Sequence, residues 1–379
     1  MGLGIIVNAA LKADVYWRQL LAISVAVAAG YCIYRGFRDF LEYPYIQLLV
    51  TYHFGFSRRA LVGTIVSLFV DRVPAWLPFA LGLAAIIAAA VLFAAAFRKV
   101  FGFKRENMPV LVFTAGSPLL FKGFVAAIGY FDIYGFIIGL ALLVMPCASF
   151  FYVVAAAAGC VFLTLVHHVQ IALYIPTIMI IVGCRYMLVR RLSAAEIGAV
   201  LLVLTAICGL AVAAQFFGSV PAPKDEFTSY LLSRSDAHAD TPKWLQYAYV
   251  YYRPLSEEIA DTWARLPTNA LRFPLYAFLI ALHWPLLQYF GRVVGAGADP
   301  TLRLFAKLSA IGVAVAYVAV FAMVFDYARW LGDLAACFVL LLFAFKQLPA
   351  AKAVAPIPLN DPTVFWAAAI LSCIPKAGF

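Results

Sequence analysis

Charge is scarce in this chain. Only 12% of its 379 residues are Asp, Glu, Lys or Arg while 65% are hydrophobic, and a soluble protein of that length carries about twice that charge fraction. A water-soluble fold is excluded, and the composition is that of an integral membrane protein. Acidic residues are the rarer sign, 18 against 28 basic ones, leaving a net charge of +10. That excess sits in short clusters between apolar runs, so it is read against anionic lipid headgroups and the positive-inside rule; no nucleic-acid-binding module is visible and no nucleic-acid partner is implied. Cysteine motifs are missing as well. Cys32, Cys147, Cys160, Cys184, Cys208, Cys337 and Cys373 are scattered, mostly in apolar runs, with no Cys-x-x-Cys, and read as small buried hydrophobes, not a disulfide framework or a metal site. Gly295-Ala296-Gly297 lacks the Lys or further Gly of a phosphate loop and reads as a plain turn. No repeat of fixed period and no separate soluble domain is present.

What is abundant is the long apolar run. A span needs roughly 20 apolar residues, fewer when buried among neighbours, which predicts helices near 17–36, 74–97, 109–121, 131–146, 148–166, 168–186, 195–217, 273–290, 304–325, 330–346 and 361–375. The predicted fold is all-α: a polytopic membrane protein of about eleven transmembrane helices, forming one domain over 1–379, with external amphipathic helices. The first run is read as an uncleaved span. Arg98 to Arg105, Arg185 to Arg191, Arg292 to Lys307 and Lys346 to Lys352 form basic clusters that all fall on one side of this map, which is expected to be cytoplasmic. The N-terminus is then cytoplasmic and the C-terminus external. Two polar segments, 37–73 and 218–272, are external. The longer one carries Trp244, Tyr247, Tyr251, Ile259 and Trp263 at amphipathic spacing, and is expected to act as a lid over a groove.

The stretch DFLEYPYIQLLVTYHFGFSRRALVG, residues 39–63, is too polar to cross a bilayer and too aromatic to be a free loop. Tyr45, Leu48, Leu49, Tyr52 and Phe56 recur at spacings of three and four, predicting an amphipathic interfacial helix. It ends at Arg58 and Arg59, whose guanidinium groups suit phosphate oxygens. Other polar residues map to the same face: Asp132 at the mouth of a span, His167 and His168 at a turn, and Asp326 with Arg329 at a helix end. Adjacent histidines point about 100° apart on a helix and make a poor metal site, so one is expected to face the site and the other to be structural. Asp333 lies deeper and requires a partner or a polar cavity.

This arrangement resembles the polytopic glycosyltransferases of the GT-C fold. The features that carry the resemblance are a first span followed by an external loop with Asp39 and an interfacial helix, Gly129-Tyr130-Phe131-Asp132 at a span mouth, and a long external loop before the last spans. It covers most of the chain, although Asp39 is followed by Phe40 where that family has an adjacent acidic pair. The resemblance implies transfer of a sugar from a polyprenyl-phosphate donor to a glycan or lipid-linked acceptor at the external face of the plasma membrane. Carried onto this chain, it makes Asp39, or else Asp132, the catalytic base. Arg58, Arg59, His53, His167, His168 and Arg329 become the phosphate-binding groups. No cofactor is implied, with a divalent cation left open. A Wzy-type polysaccharide polymerase or ligase fits the same residues. A transporter fits less well, because most spans lack ionisable groups.

Overall fold

The computed structural model describes residues 2–146, 150–189, 194–237, 243–296, 299–324 and 326–377, with side chains described for the same residues except 2–13, 150, 187–189 and 194–197. Cys147, Arg190, Arg191 and Gly297 lie outside the described residues. The chain opens with α1 (Gly2–Arg38), the short α2 (Glu42–Leu49) and α3 (Leu61–Ser67), then α4 (Leu77–Val100). Next come α5 (Met108–Ala115), α6 (Phe121–Ala126), α7 (Ile133–Val144), α8 (Phe150–Val166), α9 (Ile175–Val189) and α10 (Ala194–Phe217). The long polar segment holds α11 (Lys224–Ser233), a 3-10 stretch Lys243–Tyr251 and α12 (Leu255–Ala270). The chain continues through α13 (Phe273–Leu282), α14 (Trp284–Gly295), α15 (Pro300–Met323), α16 (Tyr327–Lys346), α17 (Pro349–Lys352) and α18 (Pro362–Cys373).

Among the described residues, six helices are long and apolar enough to cross a membrane, or seven if α13 and α14, bent by 60°, count as one span. The protein is therefore a helical membrane protein. All eleven predicted runs carry helix, but those at 109–121, 131–146, 148–166 and 361–375 hold shorter pieces. Proline sets several of these limits. Pro118 lies in the non-helical link between α5 and α6, and Met145 turns extended immediately before Pro146, ending α7. Pro285 lacks an N–H and crowds the carbonyl one turn back, so the helix breaks at His283, between α13 and α14.

α16 is the central rod, with 61% of its apolar window buried against 11% for α1. It packs on α7, α9 and α15. Two glycines one turn apart on α7 allow this: a Cβ on Gly139 would sit 2.6 Å from Leu340 of α16, and one on Gly135 would sit 2.3 Å from the Tyr174 ring. Small residues at this spacing let helices approach closely in a bilayer, where packing replaces the hydrophobic drive.

The bundle has two polar ends. At one, Lys99 of α4 donates to the carbonyls of Leu143 and Val144 at the end of α7, and Arg185 of α9 donates to Met145 O and Gln347 Oε1 beyond α16. At the other lie Asp132 at the start of α7, Arg329 at the start of α16, and His167 before α9. The 20 residues of α16 separate these ends by about 30 Å, the thickness of a hydrocarbon core.

A roof covers the second end. Its own core is Tyr45, Leu49, Val220, Phe227, Trp244 and Tyr251. The helix predicted over 39–63 stops at Leu49, because Val50 and Thr51 turn extended and Tyr52 N–H bonds the Thr64 hydroxyl. Tyr45, Leu48 and Leu49 are buried in protein instead of lying along lipid. The Tyr45 hydroxyl donates to Val73 O at 2.7 Å and meets Ser235 Oγ at 2.9 Å, beside the β-bridge between Val73 and Ser235. Thr262 of α12 donates to Met323 O at 2.9 Å, tying the roof to the end of α15.

Candidate functional site

Beneath the roof is a cavity of about 540 Å3, within the size range of ligand sites. Arg329 and His167 line it from the bundle side, Arg59 from the first loop, and Arg253, Arg265 and Glu258 from the long segment. Four guanidinium groups face two lining carboxylates, Glu258 and Asp326. Asp261, 3.2 Å from Arg253 and 2.9 Å from Arg265, and Asp132 beside Arg329 offset most of that charge, which leaves Arg59, bonded to the Tyr43 hydroxyl and with no carboxylate partner among the described residues, as the cation open to an anionic ligand.

Arg329 is held on several sides. Its Nε lies 3.2 Å from Asp132 Oδ2 and its Nη1 3.5 Å from Asp326 Oδ2. Its guanidinium carbon is 4.2 Å from the Trp330 ring centroid and 4.6 Å from that of Tyr130. Tyr130 stacks on Tyr43 at 5.3 Å, and Tyr43 OH accepts a hydrogen bond from Arg59. The two cations are thus linked through aromatic faces, which orients both without neutralising Arg59. Asp132 is buried, and burial raises its carboxyl above the ordinary range against the opposing pull of Arg329. It acts on the cavity through Arg329. Asp326, at 46% side-chain exposure, is the wetter carboxylate.

The two adjacent arginines diverge. Arg59 has φ 64°, a left-handed conformation rare for a residue with a side chain, and this turns it toward the cavity while Arg58 points away. Such a backbone state costs on the order of 1–3 kcal/mol and persists where surrounding structure enforces it. Arg58 is buried and donates to the carbonyls of Val250 and Arg253, with Glu258 at 3.6 Å. Burial, and then the charge of Arg59, lowers its pKa. It fastens the long segment to the first loop.

His167 lines the cavity, and its Nδ1 is buried without a hydrogen-bond partner among the described residues. Burial, and then the charge of Arg59, holds its pKa well below the ordinary imidazole value, so it is neutral near pH 7. His168 is buried and stacks on it at 5.6 Å. His53 stacks on Tyr230 at 4.6 Å and does not line this cavity. Asp39 does not line it either. It lies beyond the end of α1, on a different element from Glu42, and pairs with Arg35 at 2.7 Å. Asp333 finds its partner in Tyr174, whose hydroxyl donates at 2.9 Å.

Tyr43, Tyr130, Arg253, Glu258 and Arg265 were not legible as site residues. Tyr43 and Tyr130 do flank the motifs that were, in the Arg58-Arg59 stretch and in Gly-Tyr-Phe-Asp. Among the described residues no group of three or more His, Cys, Asp or Glu side chains could hold a metal ion. Fold and site together define a helical membrane protein with a roofed, cationic and aromatic cavity at one end of its bundle. No known protein family, no curated protein and no solved structure matches this chain.

Proposed function

We propose that this protein is a glycosyltransferase of cell-envelope glycan assembly, moving a sugar from a polyprenyl-phosphate donor at the external face of the plasma membrane. One observation carries the reading: Arg59 and Arg329 converge with tyrosines and a half-exposed carboxylate in a single cavity at a bundle end. The basic clusters gather at the opposite end, where Lys99, Arg185 and Lys346 lie, which supports an external site.

The chemistry asks little of the protein beyond these groups. An acceptor hydroxyl oxygen bonds to the anomeric carbon of the donor sugar as the bond from that carbon to the phosphate oxygen breaks. The electron pair leaves with the lipid phosphate, where Arg59 and Arg329 stabilise the growing charge. The hydroxyl proton passes to a carboxylate, and Asp326 is the cavity-lining carboxylate beside Arg329. Asp132 positions Arg329. A polymerase or ligase acting on a lipid-linked oligosaccharide is the second reading, favoured by the volume under the roof, about 540 Å3.

The test is product analysis with the purified protein in vesicles holding a radiolabelled polyprenyl-phosphate sugar and a lipid-linked acceptor. Single-sugar transfer supports the transferase and a ladder of chain lengths the polymerase. Asp326→Asn should lower turnover by about two orders of magnitude or more. If Asp39→Asn does so and Asp326→Asn does not, the base is Asp39. Solute uptake with no covalent product would overturn the enzymatic reading.

A further inference from the structure

A second, smaller cavity of about 200 Å3 lies against the same wall. Tyr130, Asp326 and Arg329 line both cavities. Beyond that wall, the charged lining of the smaller one is Arg35 of α1 and Lys376 after α18. Three cations line it, and since Asp39 pairs with Arg35 and Asp132 and Asp326 with Arg329, Lys376 is the one with no carboxylate partner among the described residues. Arg35 holds Asp39 at 2.7 Å, yet its Nε is buried with no hydrogen-bond partner among the described residues. Gly123, Ala126, Ala127 and Gly332 also line the space, so little side-chain bulk keeps a ligand from the backbone.

The position of the cavity matters as much as its charge. α1 has the least buried apolar window of the membrane-length helices among the described residues, and Arg35 lies in its last turn, with Ile33 and Phe37 on the opposite face of that turn 59% and 89% exposed. The small cavity therefore lies at the end of a helix whose outer face is open to lipid. The larger cavity instead lies beneath the roof, where Gln246, Tyr247, Glu258 and Thr262 offer hydrogen bonds and aromatic faces suited to sugar hydroxyls and rings.

We infer that the smaller cavity is an anion subsite for the phosphate of a membrane lipid, and that the larger one takes the glycan part of a second molecule. Asp326 and Arg329 then stand between two bound substrates, where a group passing from one to the other must travel. The inference deepens the glycosyltransferase reading and rests on it: Arg329, which lines both cavities, holds the lipid phosphate, and Arg59 meets the growing charge from the side of the larger cavity. A phosphate is recognised by forked guanidinium groups and a point-charge ammonium, and Arg35, Arg329 and Lys376 supply both. The shared chemistry is the phosphate group, which a lipid headgroup or a free anion could provide. Placement beside the lipid-facing α1 favours the lipid.

The experiment measures binding of a radiolabelled polyprenyl phosphate to the full chain in mixed micelles, with inorganic phosphate as competitor. Two variants probe the small cavity independently: the pair Arg35→Gln with Lys376→Gln removes charge, and Ala127→Phe fills the space while leaving every charge in place. Each should raise the dissociation constant at least tenfold, with Arg59→Gln affected less than either. Inorganic phosphate should compete only at concentrations a hundredfold or more higher. Binding unchanged in both small-cavity variants but weakened tenfold by Arg59→Gln would put the phosphate in the larger cavity, overturning the inference and leaving the proposed function intact. No binding by the unaltered protein would remove both. Equal competition by inorganic phosphate would overturn the lipid assignment.

Discussion

Replacing Arg329 with Gln removes the only cation within ion-pair distance of Asp132 among the described residues, and it does so where both side chains are shielded, at 16% and 7% exposure. Breaking a buried pair from one side costs about 3–5 kcal/mol, because the remaining charge has no compensation. Asp132 has one escape, which is to take up a proton. For a carboxylate of ordinary pKa that costs about 4 kcal/mol at pH 7, which caps the loss. Burial already raises the Asp132 pKa, so the cost falls toward the lower end, near 3 kcal/mol, including the contacts of the guanidinium with Trp330 and Tyr130. Asp132→Asn in the same chain should return about 2 kcal/mol, since the orphaned charge is then gone. The pH dependence has a definite sign. A carboxyl whose folded pKa is raised favours folding at low pH and loses that contribution as pH rises through the folded value. The deficit of Arg329→Gln should therefore shrink between pH 7.5 and pH 5, and that of the double variant should not. SDS titration in mixed micelles followed by tryptophan fluorescence measures all three. A deficit under about 1 kcal/mol, or one that Asp132→Asn leaves unchanged, would refute the account of Arg329 as a buried, carboxylate-held cation.

Other outcomes follow from the same geometry. Arg58→Lys should lower stability by about 2 kcal/mol, since two buried carbonyls lose charge-assisted donors, whereas Arg59→Lys should leave stability nearly intact and impair activity; matching effects at both sites would mean that the two arginines do not differ in role. On a cysteine-free background, Ser233→Cys in the roof should react with an impermeant maleimide added outside intact cells and Lys104→Cys should not. The reverse pattern would invert the proposed orientation. Gly135→Ala drives a Cβ into the Tyr174 ring and should cost about 1–3 kcal/mol, while Gly30→Ala, with open space around it, should cost nothing; equal melting temperatures would contradict the close approach of α7 to Tyr174.

Composition and run length were enough to place helix in every predicted span, because apolar stretches of that length have one stable form in a bilayer. The breaks were marked by Pro118, Pro146 and Pro285, but counting over windows of about 20 residues runs through a single proline. In the site, Asp326 and Arg329 were legible as a pair because their relation is local, one turn of one helix. The ion pair between Arg329 and Asp132 was not, since it depends on α7 and α16 lying side by side through Gly139. Nor could a doublet reveal that Arg58 and Arg59 do different work. Their separation comes from one backbone angle and from carbonyls at Val250 and Arg253 that belong to another part of the chain.

The bridge between Val73 and Ser235 bears on how the protein is made. Arg72 reaches the Ser235 carbonyl across 163 positions of sequence. At a ribosome adding roughly 5–20 residues per second, about 8–30 s pass between the emergence of one partner and the other. Through that interval α4 to α10 must be threaded into the bilayer while Tyr45, Arg58 and Arg72 stand without the groups they will bind. Membrane insertion and assembly of the cavity are therefore separate events in time. A nascent chain released just short of Ser235 would hold its early helices in the lipid, with the aromatic side chains of the first loop still bare to water and open to whatever chaperone or protease reaches them first.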